Sequence, residues 1–179
     1  MKDYVAELAS TILNLDLSEA QNAVRVLEKA REKMASVWIA GNGGSAATAS
    51  HFSNDLVKMA GVRAFAVPDL YAATLAYGND EGWESMFEGA VDTLMLREDV
   101  FVAISCGGRS MNVIRTCRLF DEEHLIILTG NKTNTPLAGI PAAAKIFVPS
   151  ADIRIQEDAH LAVCHMIAGE LARKGDGRK

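Results

Sequence analysis

Val37-Trp38-Ile39-Ala40-Gly41-Asn42-Gly43-Gly44-Ser45-Ala46-Ala47-Thr48-Ala49-Ser50-His51-Phe52-Ser53-Asn54-Asp55 is the stretch that decides the fold. Val37 to Ala40 has the length and β-branched content of a buried strand, and it stops at a run of small residues, Gly41 to Ser45. The reading is strand, glycine turn, helix. Glycines let the backbone turn sharply and approach a ligand closely, while the free N–H groups and dipole at the start of the helix favour an anion. Ser45 adds a hydroxyl there, and further along His51 and Asp55 stand four residues apart, on one helical face. An anion at one end and acid–base or metal-binding groups at the other form the layout of a sugar-phosphate site.

Upstream, Val5, Leu8, Ile12 and Leu15 recur at three- and four-residue steps, which predicts an amphipathic helix interrupted at Asp16-Leu17. Ser18 and Gln21 form a capping box for a second helix reaching about Ala35, with Ala20, Val24, Leu27 and Met34 on its apolar face. Two helices ahead of the first strand cannot both belong to a crossover. At least one is expected to pack against another subunit, the alternative being that both lie on the sheet of their own chain.

Downstream, Val62 to Val67 reads as a second strand stopped by Pro68, Leu70 to Tyr77 as a helix broken by Gly78-Asn79-Asp80, and Trp83 to Leu96 as its successor. Val100 to Ile104 is a third buried strand running into Ser105-Cys106-Gly107-Gly108-Arg109-Ser110, followed by a helix from Met111 to Phe120. Leu125–Leu128 and Lys145–Val148 are strands four and five, and a long helix from Ile155 to Arg173 closes the fold. Strands alternating with helices imply an α/β fold, here a single-domain, doubly wound five-stranded parallel sheet of order 2-1-3-4-5 with an N-terminal helical pair. In that order the first and third strands are neighbours, and ligands bind in the crevice beyond their carboxyl ends. The two glycine–serine loops follow those two strands, so both are expected to hold one ligand.

Gly41-x-Gly43-x-x-Ala46 also satisfies the dinucleotide fingerprint, which expects an acid at the end of the second strand. That strand ends in Val67-Pro68, and Asp69 comes late. A P-loop is excluded because no lysine followed by Ser or Thr closes the glycine run. Two hydroxyl-lined loops without a ribose-binding acid favour a phosphate monoester of a small molecule.

With 179 residues, 49% hydrophobic and 23% charged, the chain suits one folded domain with a short tail, Lys174 to Lys179. Its net charge of −5 argues against non-specific binding to nucleic acid or anionic membrane. Cys106, Cys117 and Cys164 are odd in number and widely spaced, which fits a reducing cytoplasm. Asp3 and Glu7 do not suit a signal segment, and no uncharged stretch is long enough to span a bilayer.

Gly41-Asn42-Gly43-Gly44-Ser45-Ala46-Ala47 followed by His51-Phe52, then Gly78-Asn79-Asp80, the strand leading into Ser105, and Val148-Pro149-Ser150 ahead of a helix with His160 and His165 together resemble sugar-isomerase (SIS) domains. Within these the resemblance is to the bacterial phosphoheptose isomerase, or sedoheptulose 7-phosphate isomerase, family. It spans nearly the whole chain, including the paired N-terminal helices. It implies one flavodoxin-like SIS domain over residues 1–179, with oligomerising helices at 1–35, an α/β core at 36–173 and a tail at 174–179. It also implies a homotetramer with active sites at subunit interfaces. The implied reaction turns sedoheptulose 7-phosphate into the aldose D-glycero-D-manno-heptose 7-phosphate, with zinc or a similar divalent ion in each subunit.

Residue by residue, the resemblance gives Ser45, Ser105 and Ser110 as phosphate-binding hydroxyls, beside Gly43, Gly44, Cys106 and Gly107 of the same loops. Asn42 and Asp80 match substrate contacts, His51 a metal ligand and His165 the catalytic histidine. Where the family reads Ser-Thr-Ser-Gly-Asn-Ser, this chain reads Ser-Cys-Gly-Gly-Arg-Ser, losing a hydroxyl at Gly107. Arg109 either compensates with a guanidinium fork or is a solvated loop residue. Asp55 stands where the family has a glutamate, shorter by roughly 1.5 Å. The family also carries a glutamine eight residues before the catalytic histidine, and Glu157 occupies that place; Gln156, nine before, projects to the opposite side of a regular helix. His51, Asp55, Glu157 and His165 would then form a two-histidine, two-carboxylate metal cluster.

Ketose–aldose interconversion needs one group to carry a proton between adjacent carbons and another to move protons among the oxygens. Asp55 is the expected base and His165 its partner; if a metal holds Asp55, His165 becomes the base. The rival readings are a sugar-isomerase-type protein that binds a phosphosugar or another protein without catalysis, and an isomerase of another sugar phosphate. His160, about 140° around the helix from His165, is assigned to packing or an interface. Cys106 reads as small-residue packing rather than a reactive thiol, His124 as solvated, and Trp38 and Trp83 as core or interface bulk.

Overall fold

Alternate residues of a strand face opposite sides of a sheet, and the buried strands of this chain divide accordingly. Val37 and Ile39, Val102 and Ile104, and Ile126 and Leu128 face one apolar cluster, while Trp38 and Ala40, Phe101 and Ala103, and Leu125 and Ile127 face the other. The computed structural model describes residues 1–130 and 134–175. Its strands β1 (Ser36–Ala40), β2 (Arg63–Ala66), β3 (Val100–Ser105), β4 (Leu125–Gly130) and β5 (Ala144–Val148) form one sheet of order β2-β1-β3-β4-β5. All four pairings are parallel, as the alternation of elements predicts.

Helices α1 (Lys2–Leu13), α2 (Leu17–Lys33), α3 (Gly44–Ala60), α4 (Tyr71–Asp80), α5 (Met86–Leu94), α6 (Met111–Cys117) and α7 (Ile153–Gly175) surround the sheet. On one face α2, α3 and α7 supply Val24, Leu27, Phe52, Leu56, Val163 and Ile167; on the other, α5 and α6 supply Phe87, Val91, Val113 and Ile114. The N-terminal pair therefore divides. α2 lies on its own chain's sheet, whereas α1 buries only Thr11 and rests on α7 with Val5 and Leu13 exposed.

Several boundaries differ from expectation. Asp16, not Ser18, caps α2: its carboxylate accepts from the Ser18 backbone N–H at 2.9 Å, satisfying a free donor of the first turn. Met34 leaves the apolar face because it closes α2 in a left-handed conformation at φ 56° and lies exposed. Gly78-Asn79-Asp80 does not break α4. One glycine costs a helix interior only about 1 kcal/mol, and the chain turns instead after Asp80, at Gly82. α7 continues through Gly175, so only residues 176–179 of the expected tail lie outside the described residues.

Candidate active site

The loops after β1 and β3 meet where the strand order places them. Gly43 takes φ +56°, a conformation side chains rarely adopt, and α3 starts at the next residue with Ser45 buried. Asn42 and Asn112 exchange amide hydrogen bonds, Asn42 Nδ2 to Asn112 Oδ1 at 3.0 Å and the reverse at 2.9 Å. This fully buried Asn112, on the first turn of α6, joins the two loops across the switch point. Sequence reasoning missed it, since an asparagine inside a helix carries no pattern of its own. On the second loop Ser105 Oγ donates to Ser110 Oγ at 3.2 Å, and Thr129 Oγ1 donates to the Ser105 carbonyl at 2.8 Å. Gly107 and Arg109 are exposed on the same loop.

Helical spacing and the contact of α3 with α7 bring the distant histidines together. His165 Nδ1 lies 3.1 Å from Asp55 Oδ2, and His51 Nε2 lies 3.5 Å from the same oxygen. The two rings meet edge to face at 4.8 Å. Asp55 is 6% exposed, whereas the histidine side chains are each about half exposed, 48% for His51 and 49% for His165. A buried carboxylate thus holds two imidazoles at the surface. His165 also lines an apolar groove between α2 and α7, and His51 lines one of about 250 Å³ between α3 and α7.

Ligand atoms of His51, Asp55 and His165 all lie within 4.8 Å of one another. A tetrahedral zinc ion with bonds of about 2.0–2.1 Å sets neighbouring donors about 3.3 Å apart, close to the 3.5 Å between His51 Nε2 and Asp55 Oδ2. The donor set fits zinc or a similar divalent ion.

Glu157 stands outside this group, which corrects the expected four-residue cluster. Eight residues advance a helix by about 12 Å, and Glu157 turns to a different neighbour. Its carboxylate packs on Gly44 at the start of α3, so closely that a Cβ added there would lie 2.5 Å from Oε1. Gln156 faces away, as its helical angle predicts, and donates from Nε2 to the Ser150 carbonyl at 2.8 Å. Asp80 is exposed at the end of α4, accepts from Asn79 Nδ2 at 2.7 Å, and is likewise outside the histidine group.

His160 is packing, as expected, and it also holds the second loop. Its fully buried ring lies with Nε2 3.2 Å from the Thr129 carbonyl and Nδ1 3.6 Å from Cys106 Sγ. The carbonyl accepts only from an N–H, so Nδ1 is left to accept the thiol proton. Burial lowers the His160 pKa to about 4. Burial, then the Glu157 charge, raises the Cys106 thiol to about 11, so Cys106 is a neutral hydrogen-bonding group and not a nucleophile.

A family model described as the SIS domain matches residues 2–128. A phosphoheptose isomerase of Helicobacter pylori is 28% identical over 180 residues, covering 96% of this chain and 93% of the relative. One from a Bradyrhizobium strain is 33% identical over 134 residues, covering 72% and 68%. Among solved structures, the phosphoheptose isomerase of Neisseria gonorrhoeae superposes with a TM-score of 0.86 at 25% identity, covering 95% of this chain and 96% of that one.

Proposed function

Because the chain belongs to the SIS-domain family and resembles phosphoheptose isomerases over nearly its whole length, we propose that it interconverts a ketose phosphate and an aldose phosphate, with sedoheptulose 7-phosphate as the ketose. The observation that carries this reading is the meeting of His51, Asp55 and His165, two imidazoles from distant segments on one buried carboxylate. A protein that only binds a sugar phosphate has no use for a buried carboxylate holding two exposed imidazoles.

Asp55 Oδ2 accepts from the Nδ1–H of His165, which leaves the Nε2 lone pair for the substrate. His165 then takes the proton from the carbon beside the ketose carbonyl and returns it to the former carbonyl carbon, passing through an enediolate. Of the three donors, His51 and Asp55 would hold a zinc or similar divalent ion, which supplies Lewis acidity to the substrate oxygens when bound. The phosphate lies over Ser45, Ser105 and Ser110, with Arg109 giving a charge-assisted contact. Exposed apolar residues on α1 and α4 support a homo-oligomer, read as a tetramer with sites at its interfaces. Among the described residues no helix is long and apolar enough to cross a membrane, and the three free thiols fit the cytoplasm.

NMR of sedoheptulose 7-phosphate in heavy water, with and without a chelator, tests the reaction. Aldose signals and one deuteron on carbon are expected. Neither turnover nor exchange across heptulose, hexulose and pentulose phosphates would remove the isomerase reading.

A further inference from the structure

We propose that His160 is a positioning residue for phosphate binding: through the Cys106 thiol it holds the loop from Ser105 to Ser110 in the shape that turns its hydroxyls and that of Ser45 toward one anion. The inference rests on the phosphate placement above and adds a residue that lies behind the loop and takes no part in the proton transfer.

The loop cannot hold its own shape. Gly107 and Gly108 follow Cys106 without side chains, and Gly108 takes φ +60°. Glycines lose the most backbone freedom on ordering, so such a loop needs restraint from outside. Its backbone finds some in β4 and the segment beyond. Thr129 Oγ1 donates to the Ser105 carbonyl at 2.8 Å, the Gly130 N–H to the Cys106 carbonyl at 3.0 Å, and the Leu137 N–H to the Gly108 carbonyl at 3.1 Å. Between Ser105 and Arg109 the one side chain is that of Cys106, and its sulfur lies 3.6 Å from His160 Nδ1.

The imidazole is fixed from both sides. Its Nε2–H donates to the Thr129 carbonyl at 3.2 Å, which leaves Nδ1 bare and makes the thiol its donor. Thr129 therefore restrains the loop twice, by its hydroxyl on Ser105 and by its carbonyl through His160. An apolar side chain could fill the same space without burying two ring nitrogens, so the fully buried imidazole is explained by the two groups it aligns.

The alignment reaches the first loop as well. Burial and the Glu157 charge raise the Cys106 thiol, and the Ser45 hydroxyl at the start of α3 works against them on the same sulfur. With its proton turned to Nδ1, the sulfur offers that hydroxyl only lone pairs. The Asn42–Asn112 amide pair ties the same two loops a second time, and Ser105 Oγ and Ser110 Oγ stay 3.2 Å apart. Donors ordered before the anion arrives lose little freedom on binding it, so loosening the loop costs affinity for phosphate and spares the proton transfer.

Calorimetric titration with inorganic phosphate and steady-state kinetics with sedoheptulose 7-phosphate test the assignment. The proteins compared are the wild type, His160→Gln, Cys106→Ala, Cys106→Ser and the double variant His160→Gln, Cys106→Ala. His160→Gln keeps an amide donor for the Thr129 carbonyl and removes the ring nitrogen that takes the thiol proton. His160→Gln should raise the phosphate Kd and the KM about 10-fold, the scale of one hydrogen bond, with kcat changed less than about threefold. Cys106→Ala should raise the phosphate Kd by a similar factor, and Cys106→Ser, which keeps a donor toward Nδ1, should raise it less. Because both changes cut one link, the double variant should bind phosphate no more weakly than the worse single variant, whereas independent structural damage would multiply to about 100-fold. A multiplied loss, an unchanged or lower Kd in either single variant, or a fall in kcat with KM unchanged would overturn the proposal. Should His160→Gln fail to fold, equal Kd values for Cys106→Ala and Cys106→Ser would overturn it, since the proton given to Nδ1 would then not matter. A wild type that binds inorganic phosphate and turns over no ketose phosphate would sink the isomerase reading, while the same Kd comparison still decides the role of His160.

Discussion

His165 and Asp55 share one hydrogen bond but are assigned different work, and substitution separates them. His165→Asn should lower kcat by roughly 10²- to 10⁴-fold, the usual value of a positioned proton-transfer group, while leaving metal content intact. Asp55→Asn should lower both, because the buried oxygen that takes His51 and His165 would become an amide that coordinates weakly. Elemental analysis beside the kinetics checks the pair, and equal metal loss in both variants would contradict the division. His160 makes a separate prediction about acid. Its pKa is about 4 in the fold against an ordinary 6.5, so the unfolded chain takes up a proton first as pH falls. The stabilisation is complete above about pH 6.5 and is lost on the way down to pH 4, by about 3 kcal/mol. Urea unfolding at pH 7 and at pH 4.5 should show that loss in the wild type and a smaller one in His160→Gln.

Elements built on strong periodicity were legible, and those decided by a single side chain were not. β1, β3 and β4 are buried on both faces, so their unbroken apolar runs announce them, and once strands alternate with helices the order 2-1-3-4-5 follows. Placing two loops at the switch point needed no contact information, whereas the Asn42–Asn112 pair that locks them did. The meeting of His51 with Asp55 is a helical count, but that of Asp55 with His165 spans 110 residues and came from resemblance. Glu157 shares a groove with His51 but stands outside the group of His51, Asp55 and His165, because a helical count along α7 does not tell which part of α3 packs against it. Asp99 shows the same limit. It follows a turn and looks like a solvated loop acid, yet it is buried and takes three donors: the Ser36 N–H at 2.7 Å, Trp38 Nε1 at 2.9 Å and the Leu96 N–H at 3.0 Å. It therefore anchors β1 to the start of β3 from below the loops. Asp99→Ala leaves those donors buried and unpaired and should cost about 3 kcal/mol in urea unfolding at pH 7. A change under about 1 kcal/mol would mean the strands hold their register without it.

At the scale of the whole molecule, one side of the fold is left unfinished. α2 has its place on the sheet, but α1 keeps Val5 65% and Leu13 85% exposed, and α4 keeps Tyr71 and Leu75 exposed beside Trp83. Helices with bare apolar faces at either edge of a well-packed core are what a second copy of the chain would cover. α4 also ends in Asp80, which is matched to a substrate contact yet stands apart from its own chain's histidines. An interface through α4 would carry Asp80 toward a neighbouring copy, making assembly and catalysis one property. Light scattering should accordingly give a mass that is a multiple of 19.2 kDa, four chains on the tetramer reading. The double variant Tyr71→Asp, Leu75→Asp should fall to a smaller species with its circular dichroism unchanged and its turnover reduced at least tenfold. Turnover should recover in part at high protein concentration, because mass action restores the interface. A wild type that is monomeric at micromolar concentration, or a dissociated variant with full activity, would place the complete site within one chain and leave Asp80 without a catalytic role.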